Sequence, residues 1–128
     1  MSAVSHTALI RETWAALEGG DLEALEAVLA PDARWRAVED GPWNCDDRDA
    51  ILEVMRGNLS RGLAGEVEEV LELGDRAVVA FRPAQQAPGA WPLEDGIRYV
   101  VVTMRAEHVV EMKGCAHREA ALAYANGA

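Results

Sequence analysis

The stretch RYVVVTMRAEHVVEMKGC, Arg98–Cys115, decides the fold of this chain. Its two valine-rich halves flank Ala106–Glu107, a pattern that predicts two antiparallel strands joined by a two-residue turn. In a regular hairpin of this kind Val101 faces Met112 across the ladder. One face is then almost wholly apolar or small, and we expect it to line the interior of the protein. That face carries Tyr99, Val101, Thr103, Val110, Met112 and Gly114.

The opposite face of the same hairpin mixes charged with apolar side chains. An antiparallel sheet often covers a core with one face and meets water or a partner with the other. We therefore expect only partial cover, such as a partner subunit, over the mixed face. Its members are Arg98, Val100, Val102, Met104, Val109, Glu111, Lys113 and Cys115.

The rest of the chain predicts three helices, a short strand, a second hairpin and a terminal helix. Glu68 and Glu69 break the alternation of apolar and polar residues in the second hairpin. The sequence therefore leaves open which side chains of this hairpin face inward. The order predicts one α+β domain over residues 1–128, with helices packed on one face of a curved antiparallel sheet. The predicted elements are helices over Ser5–Glu18, from Asp21 to Pro31, from Asp46 or Asp47 onward and over His117–Asn126, with strands over Ala33–Val38, Glu66–Leu73 and Arg76–Arg82.

Composition narrows the class of protein. The formal net charge is −10, so the surface repels phosphate backbones and we expect no nucleic-acid partner. The apolar runs are too short to cross a bilayer, and the N-terminus shows no secretion signal, so we expect no membrane partner and a cytoplasmic location. Cys45 and Cys115 imply no disulfide framework in such a chain.

Four segments of the chain carry a family resemblance: GDLEALEAVLAPDARW at Gly20–Trp35, DRDAILEVM at Asp47–Met55, GDRAVVAF at Gly74–Phe81 and MKGCAHREAAL at Met112–Leu122. With these segments the chain resembles the nuclear transport factor 2 superfamily, and in particular its SnoaL-like proteins. The resemblance implies a cone, in which a curved sheet wraps around the N-terminal helices and encloses a pocket, and a homodimer formed through the outer face of the sheet.

The superfamily includes ketosteroid isomerases, epoxide hydrolases, polyketide cyclases and proteins that only bind. Isomerase chemistry needs a carboxylate base and two hydrogen-bond donors for the enolate oxygen. Trp14 stands where that family keeps a tyrosine donor, and the family's buried acid aligns with Tyr99 or Val100. Its base aligns with Ala37, or with Asp40 if a small insertion is allowed. The isomerase mechanism is therefore poorly supported.

Epoxide hydrolysis and metal binding have less support. Arg82 stands near the family's hydrolase arginine, but its acidic neighbours align with Ala84 and Gly114, which leaves no base for the water. Cys115 and His117 are two residues apart, and a zinc site needs three or four ligands. We expect neither a metal nor a cofactor.

Two residues beside predicted helix starts have simple structural explanations. His117 begins the last helix, where a capping role is favoured. Arg48 lies in the first turn of the third helix, where a positive charge opposes the helix dipole, so we expect a carboxylate partner for it.

The tryptophans are the sharpest sign of a binding site, because the chain has four of them and a single phenylalanine. In the implied cone they surround or cover the pocket, so we expect a small apolar or aromatic ligand. The predicted ligand-binding residues are Trp14, Trp35, Trp43, Met55, Asn58, Leu59, Phe81, Tyr99, Val101, Thr103, Val110 and Met112.

Three functions remain open from the sequence. The first is ligand binding, with or without cofactor-independent proton transfer in which Asp40 acts as base and Tyr99 as donor. The second is a non-catalytic dimeric domain with no ligand. The third is an isomerase, cyclase or hydrolase. Trp43 and Trp91 lie in predicted loops, and the sequence leaves open whether they form a lid over the ligand or a contact with the dimer partner.

Overall fold

The described part of the chain forms four helices and five strands. The computed structural model describes residues 6–36, 44–60, 65–83 and 96–127. The helices are α1 (His6–Glu18), α2 (Leu22–Val28), α3 (Arg48–Ser60) and α4 (Arg118–Ala125), and the strands are β1 (Leu29–Arg36), β2 (Gly65–Leu73), β3 (Arg76–Pro83), β4 (Arg98–Arg105) and β5 (His108–Cys115).

The five strands form one sheet in the order β1-β5-β4-β3-β2. The predicted α+β architecture is confirmed, with one difference: β1 runs parallel to β5, so the sheet is mixed and not wholly antiparallel. β1 begins at Leu29, four residues earlier than predicted, and therefore contains Pro31. A proline is tolerated there because β1 is an edge strand, whose described pairing on the outer side is the bridge of Trp35 with Cys45, away from Pro31.

Side-chain caps explain where three helices begin. Asp21 Oδ1 accepts hydrogen bonds from the backbone N–H groups of Glu23 and Ala24 at the start of α2. Asp47 Oδ1 accepts from Ala50 N at 2.9 Å, so Asp47 caps α3. His117 Nδ1 accepts from Ala120 N at 3.1 Å, which confirms the predicted cap of α4.

Two one-residue bulges set which side chains face inward. In β2 the register shifts between Val67 and Glu69, so Glu68 is the extra residue that broke the alternation in the sequence. In β5 the extra residue is Val110, because Met104 pairs with Val109 while Thr103 pairs with Glu111. A bulge places two residues of one strand opposite one of the other and reverses the facing of everything beyond it.

The bulge at Val110 overturns the predicted register of the long hairpin. The turn at Ala106–Glu107 is as predicted, but Met112 faces Val102 and not Val101. The inner face of the hairpin therefore consists of Arg98, Val100, Val102, Met104, Val109, Met112 and Gly114.

The inner face of the sheet packs against α1, α2 and α3. This interior cluster includes Ile10, Leu25 and Ile51 from the helices and Val79 and Val102 from the sheet, all with at most 3% of their surface exposed. Burial of this apolar surface is the main stabilising term of the fold.

The outer face of the sheet is covered by α4. Ala121 and Ala125 of this helix pack on Val78, Val101 and Cys115 in a second apolar cluster. The outer face, through which the resemblance implies a homodimer, is thus partly covered by the chain's own last helix. Most of the residues that the sequence interpretation assigned to this face line the interior instead: Arg98, Val100, Val102, Met104 and Val109.

Polar contacts at Tyr124 hold α4 to the sheet. Its hydroxyl donates to Glu111, which also forms an ion pair with Arg34 at 3.4 Å. Arg76 lies over the Tyr124 ring, 5.2 Å from its centroid, and its guanidinium donates to the Tyr124 backbone oxygen at 2.6 Å. A second ion pair joins Arg118 of α4 to Glu69 of β2.

Alkaline pH should loosen this contact through Tyr124. Burial, followed by the hydrogen bond to Glu111, raises the pKa of Tyr124 to about 12 from an ordinary value of 10.0. Because the folded-state pKa lies above the unfolded one, this stabilisation is complete below pH 10 and is lost as the pH rises toward 12. We expect urea denaturation to show that the free energy of unfolding falls by about 1 kcal/mol over that interval. This is less than the full pKa shift would give, because the ring is partly exposed and water weakens the interaction. Tyr124→Phe should lack this component, and equal pH slopes for the two proteins would contradict the assignment.

Candidate functional site

A small apolar cavity lies between the helices and the inner face of the sheet. Its volume is about 10 Å³, the room of about one water molecule. None of the described residues that line it carries a charge, and the Thr13 hydroxyl is used within α1, where it donates to the Leu9 backbone oxygen at 2.8 Å. The lining residues are Leu9, Ile10, Thr13, Trp14, Leu25, Val28, Val102, Val109 and Met112.

An aromatic pair adjoins this cavity. The Trp14 ring of α1 lies 5.6 Å from the Phe81 ring of β3, measured between centroids, at an interplanar angle of 53°. Tilted pairs at this separation are favourable and fix the orientation of both rings. Trp14 also lines the cavity, so one side chain belongs to both features.

Two arginines bring positive charge toward this apolar interior. Arg98 is directly opposite Phe81 in the β3–β4 ladder and therefore belongs to the inner face. Its Nε atom is buried, and removal from water lowers the pKa of its guanidinium. Arg48 lies in the first turn of α3 at helical spacing from the buried residues Ile51 and Leu52. Its Nε atom is buried and has no hydrogen-bond partner in the described part of the chain.

The predicted carboxylate partner of Arg48 is not found among the described ion pairs. The arginine that meets the acidic segment before α3 is Arg36, whose guanidinium lies 3.0 Å from Asp46. Arg36 also donates to the backbone oxygen of Cys45 at 3.2 Å. Asp46 is therefore paired with an arginine of β1, and Asp47 is used to cap α3.

The structure brings together about half of the predicted ligand-binding residues. Six belong to or pack against the interior cluster, and two of these, Trp14 and Met112, line the cavity. The six are Trp14, Trp35, Met55, Phe81, Val110 and Met112.

Three predicted lining residues lie on the other side of the sheet. Tyr99, Val101 and Thr103 pair with outward-facing residues of β5, and Tyr99 and Val101 belong to the cluster under α4. The prediction that they face the interior is wrong because the even-numbered side chains of β4 turn inward. As a consequence Tyr99 and Met112 are on opposite faces, and Tyr99 is not placed to donate a proton to an interior ligand.

Arg98 is the charged residue among the interior residues that the sequence interpretation placed on the wrong face; the others are Val100, Val102, Met104 and Val109. The sequence did contain an indication of this facing. The even-numbered residues that follow Arg98 in β4 are all apolar, namely Val100, Val102 and Met104, whereas the odd-numbered residues include Tyr99 and Thr103. Asp40, Trp43 and Trp91 lie outside the described residues. Asn58 and Leu59 belong to α3, but their side chains are likewise outside the description.

The two cysteines are poor candidates for chemistry. Both are buried, and loss of hydration is the largest cause that raises the pKa of the Cys45 thiol and of the Cys115 thiol. A thiol with a raised pKa stays protonated and reacts slowly. Among the described residues no group of three or more histidine, cysteine, aspartate or glutamate side chains is arranged to hold a metal ion. Within the same residues, no helix combines the length and apolarity that a membrane span requires.

The comparison with sequence families agrees with this fold. The profile of a family described as SnoaL-like domain matches residues 10–116. The chain belongs to the SnoaL-like domain family. No curated protein matches it.

Solved structures place this SnoaL-like domain among cone-shaped folds. A protein from Sinorhizobium meliloti, provisionally named a polyketide cyclase, is 20% identical, with a TM-score of 0.68 over 83% of this chain and 92% of that one. An NTF2-like protein of unknown function from Mesorhizobium loti is 19% identical, with a TM-score of 0.66 over 88% of this chain and 90% of that one. A de novo designed protein with a curved β-sheet is 18% identical, with a TM-score of 0.67 over 91% of this chain and 90% of that one. At these identities the likeness concerns the fold alone.

Proposed function

We propose that this SnoaL-like domain binds a small apolar or aromatic molecule between α1 and the inner face of the sheet. The observation that carries the proposal is the uncharged cavity beside the Trp14–Phe81 pair. Apolar, aromatic-lined interiors with few polar groups are typical of small-molecule sites. A tilted ring pair also offers a surface on which a flat ligand stacks.

The ligand must displace side chains in order to enter. A cavity of about 10 Å³ holds about one water molecule, so space for an aromatic ring requires a shift of the lining. Met112 is well suited to such a shift, because methionine is unbranched and adapts to irregular gaps. We propose that Met112 and Trp14 move apart when the ligand enters.

We propose binding without a catalytic step. A cyclase or isomerase needs an acid or a base beside its ligand. Tyr99 faces α4, and the described lining of the cavity contains no carboxylate. The polyketide cyclase name of the Sinorhizobium meliloti protein is therefore not carried over to this chain.

A neutral dye tests the site. Phenylnaphthylamine is apolar, is dark in water, becomes fluorescent in apolar surroundings and accepts energy from tryptophan. We expect saturable binding to the full chain, with excitation of tryptophan giving dye emission. Trp14→Leu should weaken binding at least tenfold, which is about 1.4 kcal/mol, because it removes the ring that lines the cavity and packs on Phe81.

The matched control is Tyr99→Leu. It removes a partly buried aromatic residue from the outer face of the same sheet, and we expect the dye affinity to change by less than twofold. Absence of dye binding by the unaltered chain would refute the proposal and favour the rival, a densely packed domain without a ligand. Equal losses in the two variants would also refute the assigned place of the site.

The homodimer remains a prediction. A second copy approaching the outer face would meet α4 or the strands beside it. Light scattering of the purified chain should give twice the 13.9 kDa of one chain. A mass of one chain at micromolar concentration would contradict the prediction.

A further inference from the structure

The side-chain caps of α2, α3 and α4 differ in how they respond to acid. Asp21 and Asp47 cap α2 and α3 with a carboxylate, whereas His117 caps α4 with an imidazole. A carboxylate ordinarily stays a hydrogen-bond acceptor down to about pH 5, but histidine is the side chain that ordinarily gains a proton between about pH 8 and 5. Among these three helices, α4 is therefore the one whose cap a modest fall in pH can remove.

Protonation of His117 removes an acceptor that the helix uses. Nδ1 accepts from the Ala120 backbone N–H at 3.1 Å, which requires a neutral ring with its hydrogen on Nε2. A protonated ring carries a hydrogen on both nitrogens, so two donors face each other and the Ala120 N–H loses this partner. The same proton places a positive charge at the N-terminus of α4, where the helix dipole disfavours it.

The groups around the start of α4 other than His117 are of types that ordinarily keep one charge state between about pH 8 and 5.5. Burial also raises the pKa of the Cys115 thiol. Glu119 lies in the first turn and attracts a cation, which reduces the charge penalty but does not return an acceptor to Ala120. These groups are Arg118 and Glu119 of α4, Glu69 of β2, Tyr99 of β4, and Lys113 and Cys115 of β5, while Arg76 of β3 and Glu111 of β5 lie at the far end of α4 beside Tyr124.

α4 depends on such contacts because it is short. It has eight residues, and isolated helices of this length are marginal in water. Its first turn packs through Ala120 and Ala121 in the cluster that contains Cys115 and Tyr99, which are ladder partners on the outer face. Loss of the cap therefore loosens the part of α4 that covers these two residues.

We infer that α4 is an acid-released cover of the outer face of the sheet, with His117 as its pH sensor. Above the pH range in which histidine gains a proton, the cap stabilises the first turn of α4 on the sheet. As the pH falls through this range the stabilisation is lost, so α4 opens more often and Cys115 becomes accessible. α4 and the proposed ligand site lie on opposite faces of the sheet, so neither depends on the other.

His117→Asn provides the main test, because asparagine is a favoured helix cap that does not gain a proton. In a Cys45→Ser background, dithiodipyridine reports each opening of α4 by reacting with Cys115. The ratio of the rates in the parent and in His117→Asn at one pH cancels the dependence of the thiolate itself on pH. We expect this ratio to rise about threefold or more from pH 8.0 to pH 5.5, as the loss of a cap predicts.

The other two histidines of the chain provide matched controls. His6 begins α1 and His108 begins β5, so His6→Asn and His108→Asn should react like the parent, within about twofold, at both pH values. His117→Ala lacks a capping side chain at every pH. At pH 8.0 its Cys115 should therefore react about threefold or more faster than in His117→Asn.

Hydrogen exchange shows which part of the protein opens. Relative to His117→Asn at the same pH, the parent should lose protection over α4 at pH 5.5 and keep it over β4. A ratio of Cys115 rates that does not change with pH overturns the inference. Equal loss of protection in α4 and β4 also overturns it, because the whole domain and not the cover would then respond to acid. If circular dichroism shows that His117→Asn is unfolded, His117→Asp replaces it, since aspartate caps α2 and α3 in this chain.

Discussion

Replacing Val102 by aspartate is expected to unfold the protein at room temperature. Val102 lies on the inner face of β4 between Ala77 and Met112 of the neighbouring strands, and 1% of its surface is exposed. A carboxylate in this apolar interior costs several kcal/mol, even where its pKa rises so that the group becomes neutral. The free energy of unfolding of a domain this size is about 5–15 kcal/mol, so the cost removes most of it. Circular dichroism and urea denaturation measure the outcome.

Arg105→Asp is the control for this substitution. Arg105 lies on the same strand but is exposed, so an aspartate there should change the free energy of unfolding by about 0.5 kcal/mol or less. A folded Val102→Asp protein with an unchanged urea midpoint would contradict the burial of Val102 on the inner face of the sheet. The whole assignment of the interior, including the inward position of Arg98, would then fail.

Replacing Ala121 by glutamate is expected to detach α4 from the sheet. Ala121 has no exposed surface and packs in the cluster that contains Val101 and Cys115. A larger, charged side chain has no room there, and we expect a loss of about 3 kcal/mol from overpacking and charge burial. The sheet and α1–α3 keep their own core, so the helix should separate before the domain unfolds.

The readout for this detachment is the reactivity of Cys115. Its thiol is buried under α4, and burial raises its pKa, so the native protein should react slowly with a disulfide reagent. In a Cys45→Ser background, Ala121→Glu should increase the rate of Cys115 modification at least tenfold. Ala123→Glu, on the exposed side of the same helix, should change it by less than twofold. Equal rates in the two variants would show that α4 does not protect the outer face.

The fold does not by itself identify a ligand. The chain has a similar TM-score to a Sinorhizobium meliloti protein with an enzyme's name and to a designed protein with a curved sheet. One backbone shape therefore accommodates sequences of different origin and purpose. What distinguishes this chain is its own set of inward side chains, above all Trp14 and Phe81, and the proposed function rests on those.

Much of the fold was determined by local patterns that the sequence displays directly. The turn at Ala106–Glu107, the strands of both hairpins and the caps at Asp21 and His117 each depend on a few neighbouring residues. Turn chemistry, β-branched runs and capping side chains act over one turn or one strand, so their effects can be read from adjacent positions.

The facing of β4 was decided only by the tertiary structure. The odd-numbered and the even-numbered residues of this strand both include valine. Val101 is buried under α4, and Val102 is buried under α1 and α2. A sequence cannot rank two apolar faces until it is known which helices cover each. The bulge at Val110 is equally invisible in the sequence. β5 pairs with β4 on one side and with the parallel edge strand β1 on the other, and both ladders shift register between Val109 and Glu111. Which side chains form the interior site is a property of that packing, and no single stretch of the chain contains it.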